Sequence, residues 1–259
     1  MNFINHITLI GRDGNSTRII YNRLSKKYKV NVIIEGKSPI LKIIKYRINK
    51  MGYFKVMGQL IFILYSKIFM RLKSKKLINK LFIKYNLDSS PIPRSNIYYV
   101  NSVNSNACIK YLSSLSSKYI IVSGTRIISK KVLNAVNKIF LNIHVGITPN
   151  YRGVHGAYWA LVNNDMQNLG VTLHIIDSGI DSGKVIAQKL IEISEHDNFI
   201  TYPYIQLTKG IGLLENYLDN HFLNKNYSFE IITDFKNSNQ FYHPTIWFYM
   251  YNYFFKSIK

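Results

Sequence analysis

A strand, a glycine-containing turn, a helix and a second strand follow one another at the start of this chain. Ile4 to Ile10 reads as a buried strand, and the sequence GRDGNST from Gly11 forms a turn. Arg18 to Tyr28 has apolar residues at helical spacing, and Lys29 to Ile34 (KVNVII) reads as the second strand. A strand-helix-strand order favours a parallel sheet covered by helices, so it excludes most all-α and all-β folds.

The rest of the chain continues this alternation. The run YIIV at Tyr119 to Val122 is apolar throughout, which suits the centre of a parallel sheet. We therefore predict an α/β fold with a mostly parallel sheet. The other predicted elements are strands at 96–100, 140–144 and 189–194 (an edge strand), and helices near 130–136 and at 204–222.

Three polar residues near the middle of the chain suggest a chemistry. Asn142 and His144 lie two apart in a predicted strand, so their side chains project to the same side. Asp181 lies in a glycine-flanked turn further on. An amide, an imidazole and a carboxylate together can transfer an acyl group to an amine, because the oxyanion needs donors and the ammonium must lose a proton. Taken singly, each residue is more simply explained as structural, since an aspartate in such a turn caps backbone amides.

The order and spacing of these residues resemble the folate-dependent formyltransferase family. The resemblance implies a Rossmann-like domain that transfers a formyl group from 10-formyltetrahydrofolate to a primary amine without a metal. It also implies catalytic roles for Asn142, His144 and Asp181. The matching elements are Asn142-Ile143-His144, Pro149, Gly170-Val171-Thr172-Leu173-His174 and Ile180-Asp181-Ser182-Gly183.

The family resemblance extends to a folate-binding loop. The segment after Tyr119–Val122 is similar to the loop whose backbone holds the pterin edge, and this implies folate contacts for Arg126, Ile127 and Ile128. Asp177 and Gly179 are assigned to the same site by the resemblance. The alternative is that Ile127 and Ile128 belong to the core.

Two further groups of residues are candidates for substrate binding. Gly14, Asn15 and Ser16 lie in the first glycine turn, where a helix N-terminus can cradle a phosphate and where the family has a substrate-facing loop. Arg152 would suit a diphosphate, and His155 and Trp159 could line a sugar pocket. A structural or surface role is an equal alternative for all three. The second group is therefore Arg152, His155 and Trp159.

The amine that accepts the formyl group separates three branches of the family. Methionyl-tRNA formyltransferases are longer, with a C-terminal nucleic-acid-binding domain. Phosphoribosylglycinamide formyltransferases have Ser-Leu-Leu-Pro after the histidine, where this chain has Val145-Gly146-Ile147-Thr148-Pro149. The segment 151–159 and the tail at 242–247 look more like enzymes that formylate nucleotide-linked amino sugars for surface polysaccharide, lipopolysaccharide or O-antigen. We predict the sugar branch, with phosphoribosylglycinamide formylation or a non-catalytic basic protein as alternatives.

Charge is concentrated in one part of the chain. The 34 Lys and Arg against 13 Asp and Glu give a formal charge of +21, and the segment 36–87 holds 13 of the basic residues and no acidic one. This segment reads as a helical insertion over about 38–86, with an apolar stripe from Met57 to Leu72. Three interpretations compete: a packed helix with a basic solvated side, a surface for anionic membrane, or one for nucleic acid. We expect peripheral membrane contact rather than nucleic-acid binding.

The remaining features concern compartment and organisation. Cys108 is the single cysteine, so a reducing compartment is compatible. Val56 to Met70 is shorter than the ~20 apolar residues of a membrane span, and the N-terminus lacks a signal-peptide pattern, so we predict a cytoplasmic protein.

We divide the chain into a catalytic domain over 1–200 and an extension over 201–259. The aromatic residues at 242–255 predict either packing onto the domain or a homodimer interface, and we favour a homodimer.

Overall fold

The computed structural model describes residues 5–223 and 238–259. A seven-stranded sheet forms the centre of the molecule. Ile4, where the first strand was predicted to begin, and residues 224–237 of the predicted extension lie outside the described part of the chain. The strands of the sheet are β1 (His6–Gly11), β2 (Lys29–Glu35), β3 (Ile97–Val100), β4 (Tyr119–Ser123), β5 (Ile139–His144), β7 (Gly170–Ile175) and β8 (Val185–Leu190), and a short strand, β6 (Arg152–Gly153), lies outside it.

The strand order in the sheet is β3-β2-β1-β4-β5-β7-β8. The first five strands in this order run parallel, and β7 and β8 are each antiparallel to the strand before them. β4 is buried along its whole length, as the YIIV run predicted. The predicted α/β fold with a mostly parallel sheet is therefore confirmed.

The helices fill both sides of this sheet and form the insertion. The first is α1 (Asn15–Leu24), which begins three residues before the predicted start at Arg18. The other described helices are α2 (Ile40–Met51), α3 (Tyr53–Tyr65), α4 (Arg71–Lys73), α5 (Lys75–Lys84), α6 (Asn106–Ser114), α7 (Lys130–Ala135), α8 (Gly156–Val162), α9 (Tyr202–Phe222) and α10 (Ile246–Lys256).

The edge strand predicted at Lys189–Ser194 is wrong in its position. β8 begins at Val185 and ends at Leu190, because the apolar pair Val185 and Ile186 packs into the core as soon as the chain returns from the turn. Ile191 already belongs to a different apolar cluster. Strand spacing alone did not show which apolar residues after the turn would reach the sheet.

α9 covers one side of the sheet and shares its core. Leu207, Ile211, Leu214 and Leu218 are buried in the same apolar cluster as residues of β1, β2 and β5. The helix therefore belongs to the layered sheet structure although it begins beyond residue 200. The division of the chain at that residue stays a prediction.

The insertion is helical, but its apolar stripe does not pack inward. A π-helical turn, Ser66–Met70, joins α3 to α4. The buried side of this long helix carries Val56, Gln59, Phe62 and Met70. Of the three interpretations of this segment, the packed apolar stripe is wrong, because the residues of that stripe are exposed on the opposite side, namely Leu60, Ile61, Leu64, Ile68 and Leu72. Hydrophobic spacing identified an apolar side of the helix but not whether other elements cover it.

Length and composition allow one described helix to cross a membrane. This helix, Tyr53–Lys73, has 21 residues, and 28% of its apolar window is buried inside the protein. It is longer than the Val56–Met70 stretch on which the sequence-based prediction rested.

The C-terminal aromatic segment packs back onto the domain. Its short strand β9 (Gln240–Phe241) pairs with β6, and the rings of Phe62 and Tyr249 lie 5.0 Å apart. A side chain at Gly58 would collide with the Trp247 ring, since an ideal Cβ would lie 2.2 Å from it, so glycine permits the contact between α3 and α10. The insertion and the C-terminal segment are thus joined through aromatic packing.

Candidate active site

A cavity of about 350 Å³ opens where β4 and β5 end. Parallel strands of an open α/β sheet commonly present ligand sites at their carboxyl ends. The loop that follows β4 forms one wall, and the turn between β7 and β8 forms another. The polar side chains at its floor are Asn142, His144, His174 and Asp181.

Strand register places Asn142 opposite His174, on β5 and β7. The Asn142 amide nitrogen lies 3.1 Å from Nε2 of His174 and donates to Oδ1 of Asp181 at 3.4 Å. Nδ1 of His174 lies 3.0 Å from the Ile175 carbonyl, which can only accept, so Nε2 is free to accept from the amide. Both amide hydrogens of Asn142 are therefore engaged, and its orientation is fixed by two partners.

His144 is a buried imidazole whose two ring nitrogens both face acceptors. Nδ1 lies 3.3 Å from Oδ2 of Asp181, and Nε2 lies 2.7 Å from the Tyr151 carbonyl. Since neither partner donates a proton, this geometry favours a ring protonated on both nitrogens. A Cβ at Gly146 would lie 2.5 Å from that carbonyl oxygen and 2.8 Å from Nε2, so glycine allows the loop to approach the ring.

The protonation of the pair follows from competing effects. Burial lowers the pKa of His144, but the Asp181 carboxylate and its hydrogen bond outweigh burial, and the pKa is raised above the ordinary 6.5. Burial raises the pKa of Asp181, but the charge of His144 and its hydrogen bond outweigh burial, and that pKa is held far below its ordinary range. The two directions agree, so the site holds an imidazolium–carboxylate pair.

Asp181 reaches this position from a strained turn. Its φ of 49° lies in the left-handed region that non-glycine residues rarely adopt. Its Oδ2 also accepts from the Gly153 amide at 3.0 Å. The carboxylate of Asp177 accepts from the amide of Gly179 at 2.9 Å and from a serine hydroxyl, so both predicted folate residues in this turn line the cavity while Asp177 also holds the turn in shape.

The loop after β4 lines the cavity, but its three predicted residues differ in environment. Ile127 is 56% exposed, whereas Ile128 is 3% exposed and packs in the core. Arg126 forms an ion pair with the buried Glu35, and its guanidinium donates to the Asn101 carbonyl at 3.1 Å. Its charge is therefore used within the protein, and the open apolar wall comes from Ile127.

The first glycine turn does not line this cavity. Gly14 precedes α1 with extended backbone, and the Asn15 amide donates to the Tyr204 hydroxyl at 3.2 Å. Ser16 is exposed at the start of the same helix. The structure keeps these residues at a helix N-terminus but does not bring them to Asn142, His144 and Asp181.

The second substrate group is divided between two places. Arg152 donates to the Ile180 carbonyl at 3.1 Å and so supports the turn that carries Asp181. His155 packs against Phe199 and forms a 2.9 Å hydrogen bond with His243, and burial with the charge of that second histidine lowers its pKa well below 6.5. His155 is thus held in the packed interior between α8 and the tail.

Trp159 faces a second cavity, of about 470 Å³, between α3 and the C-terminal segment. Its indole nitrogen donates to the Tyr242 carbonyl at 3.0 Å, and its ring stacks on Phe241 at 5.1 Å. Gln59 lines the same cavity and is 1% exposed, and neither of its amide atoms has a hydrogen-bond partner within residues 5–223 and 238–259. An unpaired buried amide is unfavourable, so a ligand that pairs with it would be stabilised there.

Sequence reasoning gave no role to two residues that shape the first cavity. His174 and Thr172 both lie in the quoted Gly-Val-Thr-x-His motif. Thr172 is fully buried, donates to the Gly146 carbonyl at 2.8 Å and accepts from the Thr148 amide at 3.1 Å. Their two-residue spacing on β7 matches that of Asn142 and His144 on β5, and antiparallel pairing of those two segments was the available signal. Within the described residues, no group of three His, Cys, Asp or Glu side chains could hold a metal ion.

Known proteins share segments of this sequence and this fold. The methionyl-tRNA formyltransferase of Thermodesulfovibrio yellowstonii is 38% identical over 112 residues, which cover 43% of this chain and 36% of that protein. The first three curated relatives are matched over about a third of their length, at 36%, 38% and 28%.

Solved structures resemble nearly the whole chain. A sugar N-formyltransferase from a Shewanella species superposes with a TM-score of 0.55, covering 92% of this chain and 76% of that one at 16% identity. An N-formyltransferase from Helicobacter canadensis, in complex with folinic acid and dTDP-3-aminofucose, gives a TM-score of 0.53, with 92% and 71% coverage at 17% identity. At such identities the likeness establishes the fold.

The sequence model described as Formyl transferase matches residues 28–203 of the 259 in this chain. That span includes β2 to β8 and every residue at the floor of the first cavity. The resemblance noted from the motifs is thereby confirmed: the chain belongs to the formyl transferase family.

Proposed function

We propose that this protein transfers a formyl group from 10-formyltetrahydrofolate to the primary amine of a nucleotide-linked amino sugar, in the cytoplasm, as a step toward surface polysaccharide or O-antigen. The observation that carries the reaction class is the contact of Asn142, His144 and Asp181 at the floor of one cavity. The family membership agrees with this reaction class.

The first cavity suits the folate donor. Ile127 offers an exposed apolar surface for a flat ring, and residues of the loop 124–128 and of the turn after β7 line the same cavity. Ligand pockets are commonly apolar with few oriented polar groups, and here those groups are the side chains at the floor. The donor supplies the formyl group, and residues of the chain orient the substrates, stabilise the developing charge and move the protons.

His144 and Asp181 supply the two charged groups that the transfer needs. When the amine attacks the formyl carbon, negative charge develops on the carbonyl oxygen, and the imidazolium of His144 would stabilise that charge. As the intermediate collapses, the bond between the formyl carbon and the folate nitrogen breaks, His144 donates its proton to that nitrogen, and the amine gives up one proton in exchange. Asp181 stays ionised and holds His144 in its cationic form; because its pKa is strongly lowered it is a weak base, and the amine proton passes to His144 once that ring has given up its own. The amide of Asn142 holds the reacting groups, and it can donate to the oxyanion once substrate replaces one of its two partners.

The second cavity supports the choice of an amino-sugar nucleotide. Trp159, Phe241 and Trp247 present aromatic faces, on which sugar or base rings pack, and the Gln59 amide has no partner among the residues that the structure describes. Lys55 at its edge can attract a phosphate. The short β6–β9 pairing joins the two cavities, since Gly153 lines the first and Phe241 the second. A homodimer stays part of the proposal.

Methionyl-tRNA is the second candidate acceptor, because curated relatives such as that of Thermodesulfovibrio yellowstonii carry that name. The charge of +21 would also attract RNA. The aromatic cavity with its buried amide favours the amino-sugar nucleotide, because its aromatic faces and the Gln59 amide can hold a sugar or base ring.

The test offers the purified chain and 10-formyltetrahydrofolate to a panel of nucleotide-linked amino sugars, to methionyl-tRNA and to glycinamide ribonucleotide. Mass spectrometry detects the formylated product. We expect a formylated nucleotide sugar, and loss of about a hundredfold in turnover for Asn142→Ala. The matched control is Asn79→Ala, an exposed asparagine of α5, with unchanged turnover. Turnover of methionyl-tRNA with no sugar formylated would refute the acceptor.

A further inference from the structure

Three adjoining helices carry a wide apolar surface that is open to solvent. α3, with the turn and α4 that continue it, packs against both α2 and α10. Leu41, Phe54 and Phe255 are 83%, 75% and 77% exposed. We define the apolar surface by six apolar side chains of the three helices that are each at least 60% exposed, Leu41, Phe54, Leu64, Leu72, Phe254 and Phe255. Soluble monomers rarely leave so many large apolar groups together in water, and such patches usually mark an interaction site.

The exposure of α2 is the clearest indication that another surface covers these helices. None of its twelve residues, all of which the structure describes, is buried. An isolated helix of that length is marginal in water, because helices in proteins gain most of their stability from packing an apolar side. Ile40, Leu41 and Tyr46 on this helix remain 66%, 83% and 64% exposed, so its packing against α3 leaves most of its apolar side chains uncovered by the described residues.

The charge around the apolar surface indicates what covers it. The 13 basic residues of the segment 36–87 are accompanied by no acidic residue, and the segment 238–259 adds Lys256 and Lys259, again without an acidic one. Lys42, Lys45 and Arg71 are exposed on the same helices as the apolar groups. Basic and apolar side chains on one helical surface, with aromatic residues among them, are the chemistry that binds the headgroup region of an anionic bilayer. We propose that this apolar surface docks on an anionic lipid bilayer, with α2, α3 and α10 lying in the plane of the interface.

Packing of α3 favours a helix that lies on the membrane over one that crosses it. The span Tyr53–Lys73 is long and apolar enough to cross. However, Phe62 is fully buried and lies 4.9 Å from Phe199 and 5.0 Å from Tyr249. A crossing helix would have to leave that aromatic cluster and expose it. Lying in the interface keeps the buried side in place and gives the exposed side to lipid.

Two other partners fit the surface less well. A symmetric dimer brings the same patch of each copy together, so the basic residues would meet basic residues, which is unfavourable. Nucleic-acid interfaces are polar as well as basic, whereas the most exposed groups of this surface are leucine and phenylalanine. The inference does not rest on the proposed enzymatic function, because it uses residues outside both cavities.

The test is co-sedimentation of the full chain with vesicles of phosphatidylcholine alone and with vesicles that also contain phosphatidylglycerol. We expect binding to the anionic vesicles, weakened by salt because the attraction is partly Coulombic. The triple variant Leu41→Ser, Phe54→Ser, Leu64→Ser keeps the charge and should lower the vesicle partition coefficient about tenfold or more. Its control is the pair Met166→Ser and Leu190→Ser, which are 55% exposed on other elements and should bind as the unchanged chain does.

A charge variant tests the electrostatic part of the proposed binding to anionic lipid. Lys42→Gln, Lys45→Gln and Arg71→Gln together should lower binding to the anionic vesicles about tenfold or more and reduce the effect of salt. The matched control removes two exposed lysines elsewhere, Lys110→Gln and Lys130→Gln, and should leave binding nearly unchanged. Circular dichroism and formyl transfer in solution show that each variant is folded, and they separate failure of this inference from failure of the proposed reaction.

Several outcomes would overturn the inference. The first is a chain that ignores anionic vesicles, and the second is an apolar triple variant that binds them as well as the unchanged chain. A dimer that the apolar variant converts to monomer in light scattering, without vesicle binding, would assign the surface to a second copy. Salt-dependent binding of RNA that the charge variant alone abolishes, again without vesicle binding, would assign it to nucleic acid.

Discussion

Replacing Asp181 with asparagine keeps the shape of the side chain and removes its charge, which isolates the electrostatic part of the site. The carboxylate lies 3.3 Å from Nδ1 of His144. At an effective permittivity of about 20, Coulomb's law gives 332/(20 × 3.3), or about 5 kcal/mol, as an upper bound for the attraction. Burial of both groups opposes it, and if half remains, about 2.5 kcal/mol is lost with the charge, or about seventyfold in kcat/KM.

The same variant reverses the effect of the environment on the imidazole. Without the carboxylate, burial becomes the dominant influence and lowers the pKa of His144 below 6.5, whereas it is raised above 6.5 in the unchanged chain. His144 therefore stabilises the native state below its unfolded pKa, and this contribution is lost as pH rises through the folded value. The contribution of Asp181, whose folded pKa is lowered from 3.8, is present above that value and lost in more acidic solution. Both contributions are present between 3.8 and 6.5, where the Asp181→Asn variant should lose most stability.

Three measurements check this reasoning. The His144 ring proton in NMR spectra reports the pKa directly, urea unfolding at about pH 5.5 and about pH 9 reports the stability difference, and formyl-folate turnover reports the rate. The control is Asp219→Asn, which removes a carboxylate from an exposed ion pair with Lys27 and should leave turnover unchanged. If His144 titrates above 6.5 in the variant, or if turnover of the folded variant stays within about threefold of normal, the electrostatic account is wrong.

Three further predictions concern packing, the turn and the cysteine. Phe62→Ala removes a fully buried ring and should lower the free energy of unfolding by about 3–5 kcal/mol, as measured by urea denaturation. Gly183→Ala would place a Cβ 1.8 Å from the Ile175 carbonyl oxygen, so the turn must move and calorimetry should show weaker binding of a reduced folate, whereas Gly212→Ala, with no atom within 4 Å, serves as the neutral control. Burial raises the pKa of Cys108 to about 11, so thiol reagents at about pH 8 should label the unfolded chain and not the native one; rapid native labelling would contradict this burial.

Local patterns predicted those parts of the fold that depend on near neighbours in sequence. The apolar run of β4 and the helical spacing of α9 were recognisable because strand and helix repeat every two and 3.6 residues. The edge strand was misplaced, and the sequence left open whether the apolar stripe of α3 packs inward or faces a partner. Periodicity shows that a helix has an apolar side, but the elements that cover or leave it open come from distant parts of the chain.

For the site, sequence order alone grouped Asn142, His144 and Asp181, because the first two share a side of one strand and all three lie in the family motif. Only the tertiary structure showed that His174 orients the amide and that the Tyr151 carbonyl occupies the second nitrogen of His144. The Tyr151 carbonyl and the Asp181 carboxylate together favour the cationic form of the imidazole. The family and the reaction class were therefore available from the sequence, since they depend on which residues are present. The protonation of the site and the exposure of the apolar surface were decided by the fold, because each depends on atoms brought together from separate segments.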